Sequence, residues 1–299
     1  MKLLIGGGSG FVSGTLAREA LAAHHQVWTI TRGQRPAING VTALQADRHD
    51  APQFEQTISA AKTDWDLVVD CIGYQPADAR QDIETFRDRA RQFVFISTDF
   101  VFDPAHREFP QSEEATAYAS TGYGGDKRLC ELEFLKTDMA WTILRPCHIY
   151  GPGSLLGCLP AHGRDPKLLE TLRACKPLRL VGGGHFLQQP IFAHDLAKLI
   201  LSVAGNDRAR RQVFCCAGPD IIESREYYRI IADLLGVGLK IEELPVREYL
   251  AGHPDTAPFL CHRIYNLNKL RAAGLAVPAT SIAAGLREHT LSLNGTGHL

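Results

Sequence analysis

Tyr123 and Lys127 stand four residues apart in the segment Tyr123-Gly124-Gly125-Asp126-Lys127, so on a helix a phenol and an ammonium share one face, one turn apart. A tyrosine with its ordinary pKa near ~10 is a poor acid or base at neutral pH, and a neighbouring cation would lower that value by favouring the phenolate. The pair could then exchange a proton with a substrate oxygen while hydride leaves or reaches the attached carbon. Two such residues on an exposed helix would otherwise form only a surface contact worth roughly 0.2–0.5 kcal/mol. What favours the chemical reading is the upstream run Phe93-Val94-Phe95-Ile96, which ends in Ser97-Thr98-Asp99 one loop and one helix start before Tyr123. The Thr98 hydroxyl could hold a substrate oxygen beside the phenol, with Asp99 as either a second substrate contact or a turn cap.

Proton exchange of this kind needs a hydride partner, and the N-terminus offers a place for one. Lys2-Leu3-Leu4-Ile5 passes straight into Gly6-Gly7-Gly8-Ser9-Gly10-Phe11-Val12-Ser13-Gly14 and then a helical pattern, the context in which a glycine turn holds a dinucleotide. Gly7 permits the tight turn, Gly10 lets a pyrophosphate approach the N–H groups at the positive end of the helix, and Ser9, Phe11 and Val12 complete the cradle. The next apolar run, Val27-Trp28-Thr29-Ile30-Thr31-Arg32, ends without the acid that would bind an adenosine ribose 2′-hydroxyl. Arg32 and Arg35 stand there instead, and a guanidinium accommodates a 2′-phosphate, so NADP is expected in preference to NAD. Asp47-Arg48, after the third run, could contact the adenine, although an acid at a strand end is also ordinary turn chemistry.

These residues need a scaffold that brings strand ends together. From Lys2 to Arg145 short β-branched or apolar runs alternate with helical patterns, which predicts βαβ units and a parallel sheet. Strands are expected near 2–6, 26–31, 41–45, 67–72, 92–97 and 140–145, with helices near 10–23, 51–62, 76–90 and 121–137. The fold class is α/β, a doubly wound parallel (Rossmann) sheet with a smaller C-terminal substrate lobe, and its ligand crevice belongs at the carboxyl ends of the strands. After Tyr150-Gly151-Pro152-Gly153 the alternation loosens. Residues 1–150 with 190–218 are expected to form the dinucleotide domain, and 151–189 with 219–299 the substrate lobe. The tail Asn294–Leu299 is read as a frayed end.

Lys plus Arg (32) nearly balance Asp plus Glu (33), for a net charge of −1, so nothing marks a polyanion partner and nucleic acid is not expected. No apolar stretch approaches membrane-spanning length and the N-terminus lacks a signal-peptide core, so a cytoplasmic protein without a membrane partner is expected. The eight cysteines sit in or beside apolar runs without a CxxC pair, as reduced small hydrophobes. No residues have metal-ligand spacing, His24-His25 included.

With these segments in view, the chain resembles the short-chain dehydrogenase/reductase superfamily in its extended, NAD(P)-dependent nucleotide-sugar epimerase/dehydratase branch. Besides the glycine turn and the Tyr–Lys pair, the resemblance rests on Ser97-Thr98-Asp99-Phe100-Val101-Phe102, similar to a Ser-Thr-Asp-Tyr-Val-Phe stretch of dTDP-sugar ketoreductases. Leu144–Gly153, Pro190–Ala197 and Arg263-Ile264-Tyr265-Asn266 add to it. It implies Tyr123 as the acid/base, Lys127 as its pKa partner and a ribose ligand, and Thr98 as the substrate-orienting hydroxyl. It further implies Pro146, Cys147 and His148 beside the nicotinamide, and Gly73 and Tyr74 along the cofactor. Arg263 is the favoured candidate for gripping a substrate pyrophosphate, and helices four and five would pair in a homodimer. Ser13 and Thr31, where the family often has glycine and an acid, turn the cofactor toward NADP.

The expected activity is hydride transfer at a carbinol or ketone carbon, epimerising or reducing a nucleotide-linked sugar. The alternatives are a reductase of a non-sugar ketone or aldehyde and a non-catalytic NADP-sensing or RNA-associated protein. A branch of the family includes chloroplast RNA-associated proteins, but the charge balance here argues against that role.

Overall fold

The computed structural model describes residues 1–161 and 163–293; the tail Asn294–Leu299 lies outside the described residues. Six strands form where the apolar runs predict them: β1 (Lys2–Gly6), β2 (Gln26–Thr31), β3 (Thr42–Gln45), β4 (Leu67–Asp70), β5 (Phe93–Ile96) and β6 (Trp141–Pro146). Their spatial order is β3-β2-β1-β4-β5-β6, and a seventh strand, Gln212–Cys216, pairs in parallel with β6 at the far edge. Every ladder of this sheet is parallel, with Leu3 in register with Val27 on one side and Leu67 on the other.

Alternation decides which side chain meets which helix layer. Leu3, Ile5, Val69 and Val94 face one core with Leu16, Ala17 and Ala20 of α1 (Phe11–Ala22) and with Leu196 and Ile200 of the later helix Ala193–Leu201. Leu4, Val68, Phe93, Phe95 and Ile143 face the other, against Phe54 of α2 (Ala51–Ala60), Phe86 of α3 (Pro76–Phe86) and Phe134 of α4 (Gly122–Leu135). Strands buried on both faces must be apolar almost throughout, which is why they were legible. Strand order reverses between β1 and β4, so the loops after them part and open a crevice.

Beyond Tyr150 the chain builds a third core, in which Leu156, Leu168, Leu178, Tyr227, Tyr228 and Ile231 pack with Ile282 and Leu286 of the terminal helix. The sequence did not announce the parallel pairing of Ile241–Leu244 with Leu178–Val181, nor the helix Val246–Gly252. Among the described residues no helix is long and apolar enough to cross a membrane. All eight cysteines are free thiols.

The terminal helix approaches Tyr150 so closely that a Cβ at Gly285 would stand 2.3 Å from the phenol oxygen. Gly285→Ala should therefore destabilise the protein by roughly 1–3 kcal/mol, despite the better helix propensity of alanine. Urea denaturation checks this, and adding Tyr150→Phe should recover part of the loss.

Candidate active site

A cleft of about 1080 Å³ runs along the carboxyl ends of the strands, from the loop after β2, past the glycine turn, to Thr98, Tyr123 and Lys127. At the turn Gly7 and Gly8 have φ of +101° and +141°, and a Cβ on Gly8 would lie 2.6 Å from Thr29. Ser13 has a structural reason to replace glycine, because its hydroxyl accepts the Gly8 N–H at 3.0 Å and fixes the loop. Gly10 is the N-cap of α1, which has no capping side chain and no acid in its first turn. A Cβ on Gly10 would meet only the Ser13 hydroxyl, at 3.3 Å, so space is left in front of the open helix end. Gly7, Ser9, Gly10, Phe11 and Val12 all line the cleft there, and this cradle fits a dinucleotide pyrophosphate.

At the end of the cleft beyond β2, Arg32 and Arg35 are exposed, line the cleft and form no ion pair among the described residues. Asp47 also borders the cleft and caps the His49 N–H at 3.0 Å. Arg48 borders the cleft as well, from within a buried charge cluster. Its guanidinium is buried on Asp70 (3.1 Å), Asp78 (3.3 Å) and Asp82 (2.9 Å), so it knits the ends of β3 and β4 to α3. Asp70 in turn accepts the N–H groups of Ile72 and Gly73, shaping the loop after β4.

Tyr123 and Lys127 occupy the first turns of α4 and both line the cleft. The Lys127 ammonium is buried and donates to the carbonyls of Gly73 (2.7 Å) and Ile96 (2.6 Å). An ammonium has three donors, so one is left for a ligand oxygen. Burial lowers its pKa, partly opposed by the charge of Asp70. Half-exposed Tyr123 packs beside Tyr74 and Phe100, with ring centroids 6.3 and 6.1 Å away.

The expectation that Lys127 lowers the Tyr123 pKa needs correction for the protein alone. Burial, helped by the Tyr74 phenol, pushes it up to about 12, while the Thr98 side chain and the charge of Arg164 pull the other way. Lys127 is not among the groups that act most strongly on it; the ammonium lies one turn deeper, on two backbone carbonyls. The Thr98 hydroxyl accepts the Phe100 N–H at 3.2 Å and lines the same cleft as Tyr123.

Asp99 lines the cleft beside Thr98, whereas Arg263 requires a correction. The buried Asp99 carboxylate is held by Arg263, Tyr265 and Arg107, and Arg263 also donates to the Pro258 carbonyl at 3.0 Å. With only 1% of its surface exposed, Arg263 cannot reach a substrate pyrophosphate; it clamps the C-terminal lobe to the end of β5. Gly73 lies behind the cleft wall rather than along it, where a Cβ would come within 2.1 Å of Asp70 Oδ2. Tyr74, Pro146, Cys147 and His148 do border the cleft. Burial, and then the charge of Arg164, lowers the His148 pKa to about 4, so its imidazole is neutral at physiological pH.

Sequence reasoning missed Phe100, Leu159, Arg164 and Phe259, which line the outer end. It also missed Glu131, fully buried on Ser97 (2.7 Å) and on Arg145 through two hydrogen bonds (2.9 and 2.7 Å). Arg145 holds its carboxyl below the usual range despite burial, which alone would raise it. The signal for Glu131 was present, since it continues the four-residue spacing of Tyr123 and Lys127 along one helix face.

The family model of the NAD dependent epimerase/dehydratase family matches residues 3–216. A chloroplast stem-loop binding protein of 41 kDa (b form) from Arabidopsis thaliana is 26% identical over 232 residues, 73% of this chain. The chain spans 58% of the length of that relative. A 2′-dehydrokanamycin reductase from Streptomyces kanamyceticus is 27% identical over 276 residues, covering 87% of this chain and 74% of the reductase. Among solved structures, a UDP-glucose 4-epimerase with UDP-glucose from Thermotoga maritima shares the fold with a TM-score of 0.79 at 17% identity, over 99% of both chains.

Arg263→Met should cost roughly 3 kcal/mol or more by leaving Asp99 short of a buried partner, while dinucleotide affinity changes less than ~2-fold. Thermal denaturation and NADPH fluorescence titration together check this.

Proposed function

The chain belongs to the NAD dependent epimerase/dehydratase family, and we propose that it moves hydride between NADP and a carbinol or ketone carbon of a sugar, with Tyr123 exchanging the proton. The observation that carries this reading is that Thr98, Tyr123 and Lys127 share one cleft with a glycine turn whose helix end is open. Residues 1–150 with 190–218 serve as the dinucleotide domain in this proposal, and 151–189 with 219–299 as the substrate lobe.

The turn from Gly7 to Val12 holds the pyrophosphate through backbone N–H groups, and the remaining donor of Lys127 takes a ribose hydroxyl. Thr98 and Tyr123 direct their hydroxyls at the same substrate oxygen, which fixes the reacting carbon. In reduction Tyr123 gives its proton to that oxygen; in oxidation it receives one. The nicotinamide, when bound, supplies or accepts the hydride and in its oxidised form adds a positive charge to the site. A phenol held near 12 in the protein alone carries the proton that reduction needs but is a weaker acid than an ordinary tyrosine. His148, kept neutral, and Pro146 flank the ring site without adding charge.

Arg32 and Arg35, without carboxylate partners among the described residues, favour a 2′-phosphate and hence NADP. That preference, and a relative named as a reductase along 87% of the chain, favour net reduction over epimerisation. The substrate is proposed to be nucleotide-linked, as in the epimerase whose fold the chain shares.

Tyr123→Phe should lower kcat by about 10²–10⁴-fold and leave NADPH affinity intact; unchanged turnover removes the mechanism. Arg32→Ala should weaken NADPH by about 10-fold or more with NADH little affected, which a pair of titrations reads directly.

A further inference from the structure

With Arg263 and Arg107 committed to Asp99, and Lys127 and Arg48 held by carbonyls and carboxylates, one cation-bearing side chain is left at the outer end of the cleft. Arg164 is exposed, lines the cleft and makes no ion pair among the described residues. Its guanidinium carbon lies 5.8 Å from the centre of the Phe11 ring, at the open end of α1. The adjacent Asp165 carboxylate caps the Lys167 N–H at 2.8 Å. We propose that Arg164 is the anion-recognition residue of this cleft, taking a phosphate or carboxylate held between Phe11 and Tyr123.

The loop that carries it is built to place it. Gly151, Gly153 and Gly157 have positive φ, and Leu156 and Cys158 are buried in the lobe core. Tyr227 and Tyr228 hydroxyls accept the N–H groups of Gly157 (3.3 Å) and Cys158 (2.9 Å), His289 Nε2 meets the Ser154 carbonyl at 2.9 Å, and the Asp165 N–H closes onto the Leu156 carbonyl at 2.8 Å. The loop also touches the glycine helix a second time, since a Cβ on Gly153 would lie 3.6 Å from Phe11. The charge of Arg164 acts to lower the pKa of both Tyr123 and His148, which line the same cleft. A planar guanidinium with free N–H groups matches phosphate or carboxylate oxygens in pairs.

The anion could belong to the substrate or to the dinucleotide, and the second source rests on the proposed cofactor reading. Binding separates them. Arg164→Gln and Arg164→Lys are compared with the wild type for NADPH affinity by fluorescence, and for UDP-glucose and inorganic diphosphate by calorimetry on the NADP-loaded protein. Gln should weaken at least one of the three ligands about fivefold or more, and Lys should restore part of the loss. A loss confined to UDP-glucose or diphosphate assigns the anion to the substrate; a loss of NADPH affinity assigns it to the cofactor. Smaller changes for all three, or a Lys variant as weak as Gln, overturn the proposal. Because no turnover is read, a failed Tyr123→Phe test would leave these results standing.

Discussion

A buried ammonium with no carboxylate in contact is among the costlier things a protein can hold, and among the described residues Lys127 is held that way. Its charge is met by the carbonyls of Gly73 and Ile96, at 2.7 and 2.6 Å, and by the face of Phe95, 4.1 Å from the nitrogen. Those carbonyls close the ends of two neighbouring strands, so one side chain pins α4 across both β4 and β5. Tyr123, one turn earlier, is thereby fixed over Thr98. Were α4 to slide or rotate, Lys127 would lose both acceptors while remaining desolvated, and the phenol cannot wander from the cleft without paying that penalty.

Two buried charge clusters keep the acceptors in place. Asp70 shapes the Gly73 loop while Arg48 anchors Asp70, Asp78 and Asp82 to one guanidinium. One cation among three carboxylates is not neutral, and burial together with the charge of Asp70 pushes Asp82 well above the usual carboxyl range. On the other side Glu131 ties Ser97 to Arg145, fixing the strand end that presents Thr98. Arg48 and Ser97 border the cleft, while the carboxylates that hold them stand behind its lining and fix the backbone there.

The sheet was legible because parallel strands covered on both faces cannot hide their apolar runs, and the glycine turn because strand and helix flank it. Tyr123, Lys127 and Thr98 followed from spacing and strand-end position. Arg263 was misread because its partner Asp99 is distant in sequence, and no local pattern distinguishes an arginine that grips a ligand from one locked in a clamp. The supposed effect of Lys127 on the phenol failed for a related reason: helical spacing gives proximity, but the strength of the effect depends on what else binds the ammonium. Arg164 had no signal, since its place depends on a glycine-rich loop tied down by Tyr227, Tyr228 and His289. Outside the main sheet, four of the six paired strands among the described residues are two residues long, too short for any period to show.

The central claim is that one cleft brings a dinucleotide and the Tyr123 hydroxyl to the same reacting carbon. A crystal structure of the protein soaked or grown with NADP tests it most directly. The account predicts the pyrophosphate at the end of α1, a ribose hydroxyl on Lys127, and the nicotinamide facing Tyr123 with room between them for one substrate carbon. A dinucleotide bound elsewhere, or a nicotinamide turned away from the phenol, would contradict it.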